Sequence, residues 1–347
     1  RHCYHSAAYY ELPAADSMDK KKFKGCDFIV DIDADHIPTP CFQDHNYTIC
    51  KNCGDKIDAE KPEKCENCGG TKFDKIVWIC QKCLDITKEQ VYHFIDNFLV
   101  DDFGISMDKV QLFFSGHRGY HVHVEEPIFH DLDQEARREI VDYITGQGFS
   151  FKIWNFQQEQ NNMQGFRIDQ PGWAGKIARE LYSILKNGES QITNVFGSIL
   201  NKTLLTQLVD NRQDLITRIE RKMSTWQVKS IGQATWYKIF EVLRDRIKSD
   251  IDAVVSIDLH RLIRLAGSLH GKTGFVVKEV KYEHLPAFNP LSDSCAFPHN
   301  SGNKLELKMT VPFVPAIEIG GAIYGPFNRD EIAVLPLNAG LFLLCKD

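Results

Sequence analysis

The segment Phe28-Ile-Val-Asp-Ile-Asp-Ala-Asp-His36 constrains the fold of this chain more than any other stretch. Its apolar, β-favouring start predicts a buried strand that runs into a polar end. Alternate residues of a strand share a face, so Asp31 and Asp33 should project together, with Cα atoms about 6–7 Å apart. Carboxylates that close repel each other, and a divalent cation would stabilise the pair. The alternative is a solvated acidic turn after the strand.

Length and composition describe an ordinary globular protein. The 347 residues suggest two domains or one elaborated core, with 43% hydrophobic and 25% charged residues. No apolar run reaches the roughly 18 residues of a membrane span, and no signal peptide precedes the first strand. The chain opens at Arg1 without a Met, and we expect an N-terminal part to be missing. The net charge of −6 argues against a general nucleic-acid coat protein, but allows an enzyme with a basic cleft.

The cysteines predict a metal-binding insert. Eleven cysteines are present, and the pairs are Cys50/Cys53, Cys65/Cys68 and Cys80/Cys83, with Cys41 and His45 nearby. Thiolates at i and i+3 can both reach one tetrahedral Zn²⁺, and this spacing favours metal in a reducing compartment over disulfides. Two partitions into two zinc sites stay open from spacing alone: the first two pairs together, or the last two. Cys3, Cys26, Cys295 and Cys345 are expected to be free core cysteines.

Periodicity predicts an α+β fold. A capping box at Thr87 predicts a helix through Leu99, and further helices are predicted over 132–145, 177–185, 204–219 and 236–247. Predicted strands cover 110–114, a segment after the turn at 115–119, 251–257 and 275–280. These elements suggest a catalytic core from 1–40 and 84–153, a zinc-binding insert at 41–83, a helical subdomain at 154–249, and a second core part with C-terminal strands at 250–347.

Two basic segments complement the aspartates. The first has Ser115, Gly116, His117, Arg118 and His121 around a glycine-flanked turn; the second has Arg264, Ser268, His270 and Lys272. Arginine, hydroxyl and backbone N–H donors suit phosphate oxygens. Any one of these histidines is more often a structural residue, but both segments carry the same chemistry. Carboxylates for metal together with cations for phosphates indicate phosphoryl or nucleotidyl transfer.

Four segments carry a family resemblance: Tyr4-His-Ser-Ala-Ala-Tyr-Tyr, Val30-Asp-Ile-Asp-Ala-Asp, Ser115-Gly-His-Arg-Gly-Tyr-His and Arg261-Leu-Ile-Arg-Leu-Ala-Gly-Ser-Leu-His-Gly-Lys-Thr-Gly. They resemble the small catalytic subunit of archaeal and eukaryotic replicative DNA primases, in the family's order. The resemblance implies a primase core of mixed β-sheet layers flanked by helices, with an inserted zinc module and a helical subdomain. The chain departs from the family's pattern in having a longer cysteine insert.

The resemblance also implies an activity and its residues. The enzyme would be a nucleotidyltransferase of the DNA-dependent RNA polymerase type that makes short primers on single-stranded DNA from nucleoside triphosphates, with a large subunit as partner. Asp31, Asp33 and a third carboxylate would hold two Mg²⁺ or Mn²⁺ ions, and the two basic segments would bind the triphosphate. The family's zinc site maps onto Cys41, His45, Cys80 and Cys83, which leaves Cys50, Cys53, Cys65 and Cys68 as an inserted ribbon. The expected location is the cytoplasm, or the nucleus in a eukaryote.

The candidates for the third carboxylate are Asp252 and Asp258, and Asp250 is a weaker candidate. On a straight strand Asp252 and Asp258 would be roughly 20 Å apart, so only one could bind the metal pair. The resemblance favours Asp252, on a strand ahead of the arginine-rich one. Asp258 is then expected to orient Arg261 and Arg264.

Two other functions fit parts of the pattern. A haloacid-dehalogenase-type phosphatase also begins with a strand into Asp-x-Asp, but Asp35 stands where that family has Thr or Val, and a late Gly-Asp-x-x-x-Asp pattern is missing. The second alternative is a non-catalytic zinc-ribbon nucleic-acid-binding protein with a decayed core. The retained Asp31, Asp33, His121 and His270 argue against decay.

Overall fold

The computed structural model describes residues 3–41, 46–57, 62–151, 165–298 and 302–346. The predicted zinc ligand His45 lies outside the described residues. The chain divides into two compact units, one made of Arg1–Ile95, Ile105–Arg138 and Asp250–Asp347, the other of Asp96–Gly104 and Glu139–Ser249. Within the described ranges, none of the helices combines the length and apolar character that crossing a bilayer requires.

The fold is mixed α+β, as the sequence predicted. The strands are β1 (Tyr4–Ser6), β2 (Ala8–Tyr10), β3 (Phe23–Cys26), β4 (Phe28–Asp33), β5 (Tyr47–Cys50), β6 (Lys56–Ile57), β7 (Phe73–Ile76), β8 (Val110–Phe114), β9 (Gly119–Val124), β10 (Leu262–Arg264), β11 (Lys278–Glu279), β12 (Lys304–Lys308), β13 (Phe313–Val314), β14 (Ile317–Ile319), β15 (Ala322–Tyr324), β16 (Phe327–Asn328) and β17 (Ile332–Pro336). The helices are α1 (Gln81–Phe94), α2 (Gln134–Thr145), α3 (Gly172–Lys186), α4 (Glu189–Phe196), α5 (Lys202–Asp210), α6 (Arg212–Glu220), α7 (Gln233–Ile247), α8 (Ala253–Ile257), α9 (Pro290–Asp293) and α10 (Leu337–Lys346).

A four-stranded antiparallel sheet forms the centre of the first unit, in the order β11-β8-β9-β4. Along β4, Phe28, Val30 and Ile32 alternate with the aspartates and are fully buried. Because side chains alternate across a strand, this burial turns Asp31 and Asp33 to the opposite face. Helix α1 packs against β4 and β9. The apolar half of the strand therefore anchors the sheet and fixes the direction of the carboxylates.

Smaller sheets surround this centre. Strand β1 pairs with β10, β2 with β3, and the cysteine-rich insert forms a three-stranded sheet in the order β6-β5-β7. Towards the C-terminus, β12 pairs with β17, β13 with β16 and β14 with β15, and α10 packs on β12 and β17. The predicted short strands of the tail are confirmed.

The second unit is helical in its described part. Helix α3 packs against α4, α6 and α7. Its core contains Trp173, Trp226, Trp236 and Phe240, each almost fully buried, and the Trp226 and Trp236 ring centroids are 5.8 Å apart. The single helix predicted over 204–219 is two helices, α5 and α6, which meet at Asn211.

Three local predictions were wrong. The helix predicted to begin at Thr87 begins at Gln81, with Cys80 as its N-cap residue. Thr87 does not cap the helix, because it is buried mid-helix and its hydroxyl donates to the Cys83 carbonyl (2.8 Å). The strand predicted over 275–280 is paired in the sheet only at β11. Cys3, predicted to be a core cysteine, is exposed.

The strand predicted over 251–257 is also wrong, because this segment contains the short helix α8. Its β-branched residues favour a strand in isolation. Asp252 instead caps the helix, accepting from the N–H groups of Val254 (2.9 Å) and Val255 (3.4 Å). A capping carboxylate satisfies amides at the helix start, and here this local bonding outweighs strand propensity.

Candidate active site

Asp31 and Asp33 project from the polar end of β4 into a cleft. Asp31 lies opposite His121 in the β4–β9 register, and Asp33 lies opposite Gly119. A Cβ atom on residue 119 would stand 1.8 Å from the Asp33 Oδ1, so only glycine lets this carboxylate lie against β9. The sheet register therefore places both aspartates and accommodates their close packing.

The two carboxylates lie in a setting that disfavours their charge. Burial raises the pKa of Asp31 well above its usual range, and the neighbouring charges of Asp33 and Asp252 raise it further. Burial likewise raises the pKa of Asp33, against the opposing charge of Arg118. The Asp31 Oδ1 atom is buried, and among the described residues it accepts no hydrogen bond. A buried carboxylate oxygen without a donor, beside two more carboxylates, fits hard divalent cations that prefer oxygen ligands.

The first basic segment lies beside these aspartates, because it runs through the turn before β9 into that strand, which pairs with β4. Arg118 pairs with Asp35 through its Nη2 and approaches Asp33 Oδ2 to 3.6 Å. Ser115 stabilises the turn, since its hydroxyl accepts from the Gly119 N–H (3.2 Å). The turn thus places the Arg118 guanidinium beside the carboxylates of Asp33 and Asp35.

Glycine is needed within that turn as well. Gly116 has φ +79°, and a Cβ there would lie 2.9 Å from the Cβ of His270. This close approach joins the two basic segments: the His117 and His270 rings stack with centroids 4.8 Å apart and 9° between their planes. His270 Nδ1 accepts from the Lys272 N–H (3.2 Å).

His121 lies beside the first aspartate. Its Nε2 is 3.8 Å from Asp31 Oδ1, and burial lowers the pKa of this imidazole to about 3. The ring is therefore neutral at physiological pH and can donate or accept one hydrogen bond.

A cleft of about 330 Å³ collects most of the predicted residues, and it is here called the nucleotide cleft after the nucleotide-binding role that the sequence predicts for them. Its lining includes Asp31, Asp33, Ser115, His117, Arg118, His121, Arg264, His270 and Lys272. Three predicted residues do not line it. Gly116 shapes the turn, Ser268 donates its hydroxyl to the Leu265 carbonyl (2.6 Å), and Asp252 caps α8.

Asp252 nevertheless lies next to the aspartate strand. Its N–H donates to the Asp31 carbonyl (2.9 Å), and its charge contributes to the raised pKa of Asp31. Asp258 was predicted to orient Arg261 and Arg264. In the structure its Oδ1 instead accepts from the His260 N–H (2.9 Å).

Sequence reasoning did not include Tyr4, Asp35, Arg261 and Lys346 among the candidate site residues. Tyr4 lines the nucleotide cleft, and the Arg264 guanidinium lies 5.2 Å from the centroid of its ring. Arg261 also lines the cleft, and its positive charge lowers the pKa of Asp31 against the other effects. Asp35 pairs with Arg118. Tyr4, Asp35 and Arg261 belong to the quoted motifs, so a signal existed for them. Lys346 lies far along the chain from any motif, and only the fold reveals it.

The paired cysteines form two clusters. One contains Cys50, Cys53, Cys65 and Cys68, the other Cys41, Cys80 and Cys83, and in each the sulfurs lie within 4.8 Å of one another. The sulfur separations of 3.6 Å for Cys50–Cys68 and Cys53–Cys65 are close to the roughly 3.8 Å edge of a tetrahedron with 2.3 Å Zn–S bonds. These clusters could bind zinc. The structure brings together the ligands of the partition in which the first two pairs share one site.

Known proteins match this chain over nearly its whole length. The family described as DNA primase small subunit matches residues 57–282. A relative named DNA primase small subunit PriS from Nitrosopumilus maritimus (strain SCM1) is 27% identical over 99% of this chain and 80% of the relative. Relatives of the same name share 29% identity in Methanococcoides burtonii, over 99% of this chain and 81% of the relative, and 32% in Thermoplasma volcanium, over 85% and 64%. On this evidence the chain belongs to the DNA primase small subunit family.

Proposed function

We propose that this chain synthesises short primers on single-stranded DNA from nucleoside triphosphates, by template-directed nucleotidyl transfer with two Mg²⁺ or Mn²⁺ ions. One observation supports this most directly: a pair of partly buried, mutually repelling carboxylates shares a single cleft with the histidines, arginines and lysine of two distant segments. Carboxylates for metal opposite cations for phosphates are the groups that nucleotidyl transfer needs.

Asp31 and Asp33 are the proposed ligands of the catalytic ions, with Asp252 as the third carboxylate. The unsatisfied Oδ1 of Asp31 and the raised pKa values of both strand aspartates support this assignment. When bound, the ions would make a primer 3′-hydroxyl easier to deprotonate and neutralise charge on the triphosphate. Of the two Asp252 carboxylate oxygens, Oδ1 is taken by the α8 cap, which leaves Oδ2 for this role.

The basic residues are proposed to hold the triphosphate. Arg118 is kept beside Asp33 and Asp35, so its guanidinium is oriented before substrate arrives. His117 and His270 stack, and Lys272 follows on the same loop. In the reaction a bond forms between the 3′-oxygen and the α-phosphorus while the α–β phosphoanhydride bond breaks. Pyrophosphate leaves with the bonding electrons and the hydroxyl proton passes to solvent. No protein nucleophile is needed, because positioning and charge neutralisation lower the barrier.

Tyr4 and Arg264 also line the cleft and are proposed to contact the sugar and base. Tyr4 and Arg264 lie opposite each other on β1 and β10 and form a cation–π pair.

A large subunit is the proposed partner, and the Nitrosopumilus maritimus relative is itself named as a small subunit.

The test is a template-dependent primer assay on Asp31→Asn, with and without the large subunit. We expect primer synthesis to fall at least about a hundredfold, as when a charge-stabilising group is removed from an active site. Because the folded pKa of Asp31 is raised, ionisation costs stability as pH rises through that pKa. The variant should therefore melt at a higher temperature than the wild type at neutral pH.

Asp108→Asn is the matched control, since Asp108 is exposed and lies outside the cleft. It should leave both activity and melting temperature unchanged. Mn²⁺ should raise the melting temperature of the wild type and of the control more than that of Asp31→Asn. Near-normal primer synthesis by a folded Asp31→Asn protein would refute the two-metal assignment.

A further inference from the structure

A second cavity adjoins the nucleotide cleft. This groove, here called the anion groove, has a volume of about 670 Å³ and lies against β5, β7, β12 and α10. It shares His117, Arg118 and Lys272 with the nucleotide cleft. The side chains proposed to hold the triphosphate are therefore a common wall, with the aspartates on one side and the anion groove on the other.

The charged side chains that line the anion groove are all cationic, although Arg118 is paired with Asp35 and Lys308 with Asp330. Besides the wall residues, Lys75, Lys308 and Lys346 line it, and no aspartate or glutamate is found among its described lining residues. The Lys346 ammonium lies 3.3 Å from Nε2 of His117. Burial lowers the pKa of Lys346 to about 8, and the positive charges of Arg118 and Lys272 lower it further, against a small opposing effect of Cys345. An anion in the groove would relieve this repulsion.

The groove offers little to a nucleobase. Trp78 and Tyr47 are its aromatic residues, and both are buried, at 4% and 6% exposure. The Trp78 Nε1 donates to the Ala316 carbonyl (3.2 Å), the Tyr47 hydroxyl donates to the Phe313 carbonyl, and the Lys346 ammonium lies 5.5 Å from the Trp78 ring centroid. The described lining residues therefore leave no broad aromatic surface for the stacking that single-stranded nucleic acid uses. The groove suits a compact polyanion.

We propose that the anion groove is the exit path of inorganic pyrophosphate, and that Lys346 is the first group to bind it beyond the shared wall. The inference rests on the proposed function, because nucleotidyl transfer leaves pyrophosphate at His117, Arg118 and Lys272. Lys346 lies next to that wall, and Lys308 lies along the same groove on β12. A charge-assisted bond to Lys346 would draw the product away from the carboxylates.

The test is calorimetric titration of the full chain with magnesium pyrophosphate, without nucleotide or DNA. Lys346→Gln should raise the dissociation constant about tenfold or more, the usual effect of losing a hydrogen bond to a charged group. Lys346→Arg should stay close to the wild type. Thr310→Glu should weaken binding severalfold, because Thr310 is exposed and lines the anion groove but not the nucleotide cleft.

Lys304 and Lys308 give a control pair on β12, both exposed, of which only Lys308 lines the groove, where its ammonium also pairs with Asp330 (2.7 Å). Lys308→Gln should weaken pyrophosphate binding and Lys304→Gln should not. Wild-type affinity in both Lys346→Gln and Thr310→Glu would overturn the inference, as would equal losses in the Lys304 and Lys308 variants. Failure of the wild-type protein to make primers would instead refute the proposed function. The pyrophosphate titration contains no nucleotide or DNA, so its result does not depend on primer synthesis.

Discussion

At the scale of single residues, Asp252 shows how one side chain can serve two purposes. Its Oδ1 caps α8, and its charge acts on Asp31. Its N–H also donates to the Asp31 carbonyl, so the backbone holds the two residues together. The straight-strand geometry used to separate Asp252 from Asp258 does not apply, because a helix lies between them. The preference for Asp252 now rests on its contact with the aspartate strand.

Asp252→Asn separates the charge from the cap. Asparagine caps helices about as well as aspartate, and its neutral side chain no longer repels Asp31, so we expect a melting temperature no lower than that of the wild type. Primer synthesis should fall by at least about a hundredfold. Asp252→Ala should lose activity and, in addition, about 1 kcal/mol of stability. Activity is measured by primer synthesis and stability by thermal or urea unfolding.

Asp258→Asn is the comparison. Its carboxylate accepts from the His260 N–H, and its replacement should affect the local turn more than the chemistry. If Asp258→Asn abolished synthesis while folded Asp252→Asn remained active, the third carboxylate would have to be reassigned.

At the scale of elements, the cysteine insert organises the start of helix α1. Cys80 is the N-cap residue of α1 and Cys83 lies in its first turn, while Cys41 comes from the loop after β4. Their sulfurs are 3.2 to 3.7 Å apart. A metal here would tie the loop that follows β4 to the helix that packs on this strand. Such closure of a 42-residue separation removes freedom mainly from the unfolded chain.

We predict two zinc ions per chain by elemental analysis. Cys53→Ser should leave one, by loss of the ribbon site, and Cys83→Ser should also leave one, with a larger fall in melting temperature because α1 loses its anchored start. Cys295→Ser, outside both clusters, should retain two. His45→Ala tests the fourth ligand that the family resemblance implies. A wild-type content of one zinc would show that one cluster is idle.

At the scale of the whole molecule, charge is unevenly distributed. The chain carries a net charge of −6, yet the described lining of the anion groove holds cationic residues and no acidic ones, and that of the nucleotide cleft adds Arg261 and Arg264. Nucleic-acid affinity depends on the number of phosphates that cations neutralise, and a small basic region neutralises few.

The chain alone should therefore bind single-stranded DNA weakly, with a dissociation constant on the order of micromolar or weaker at physiological salt, and with a shallow salt slope of about −0.7 per phosphate contact. Fluorescence anisotropy over a salt series measures both quantities, and addition of the large subunit should tighten binding. Sub-nanomolar binding by the isolated chain would contradict this prediction.

The sequence by itself determined the parts whose signal is local. Alternation in Phe28–Asp33 fixed the strand and the shared face of its aspartates, and i,i+3 spacing identified the paired cysteines. Motif spacing likewise identified most residues of the nucleotide cleft, because glycine-flanked turns carry their chemistry in consecutive positions.

Only the tertiary structure decided the rest. It selected helix over strand at 253–257, because the Asp252 cap and the pairing of its N–H with Asp31 outweigh β-propensity. It also grouped the cysteines, stacked His117 on His270 and brought Lys346 beside them. These contacts join residues that are distant along the chain. Such pairings depend on packing and loop closure, which sequence spacing does not encode.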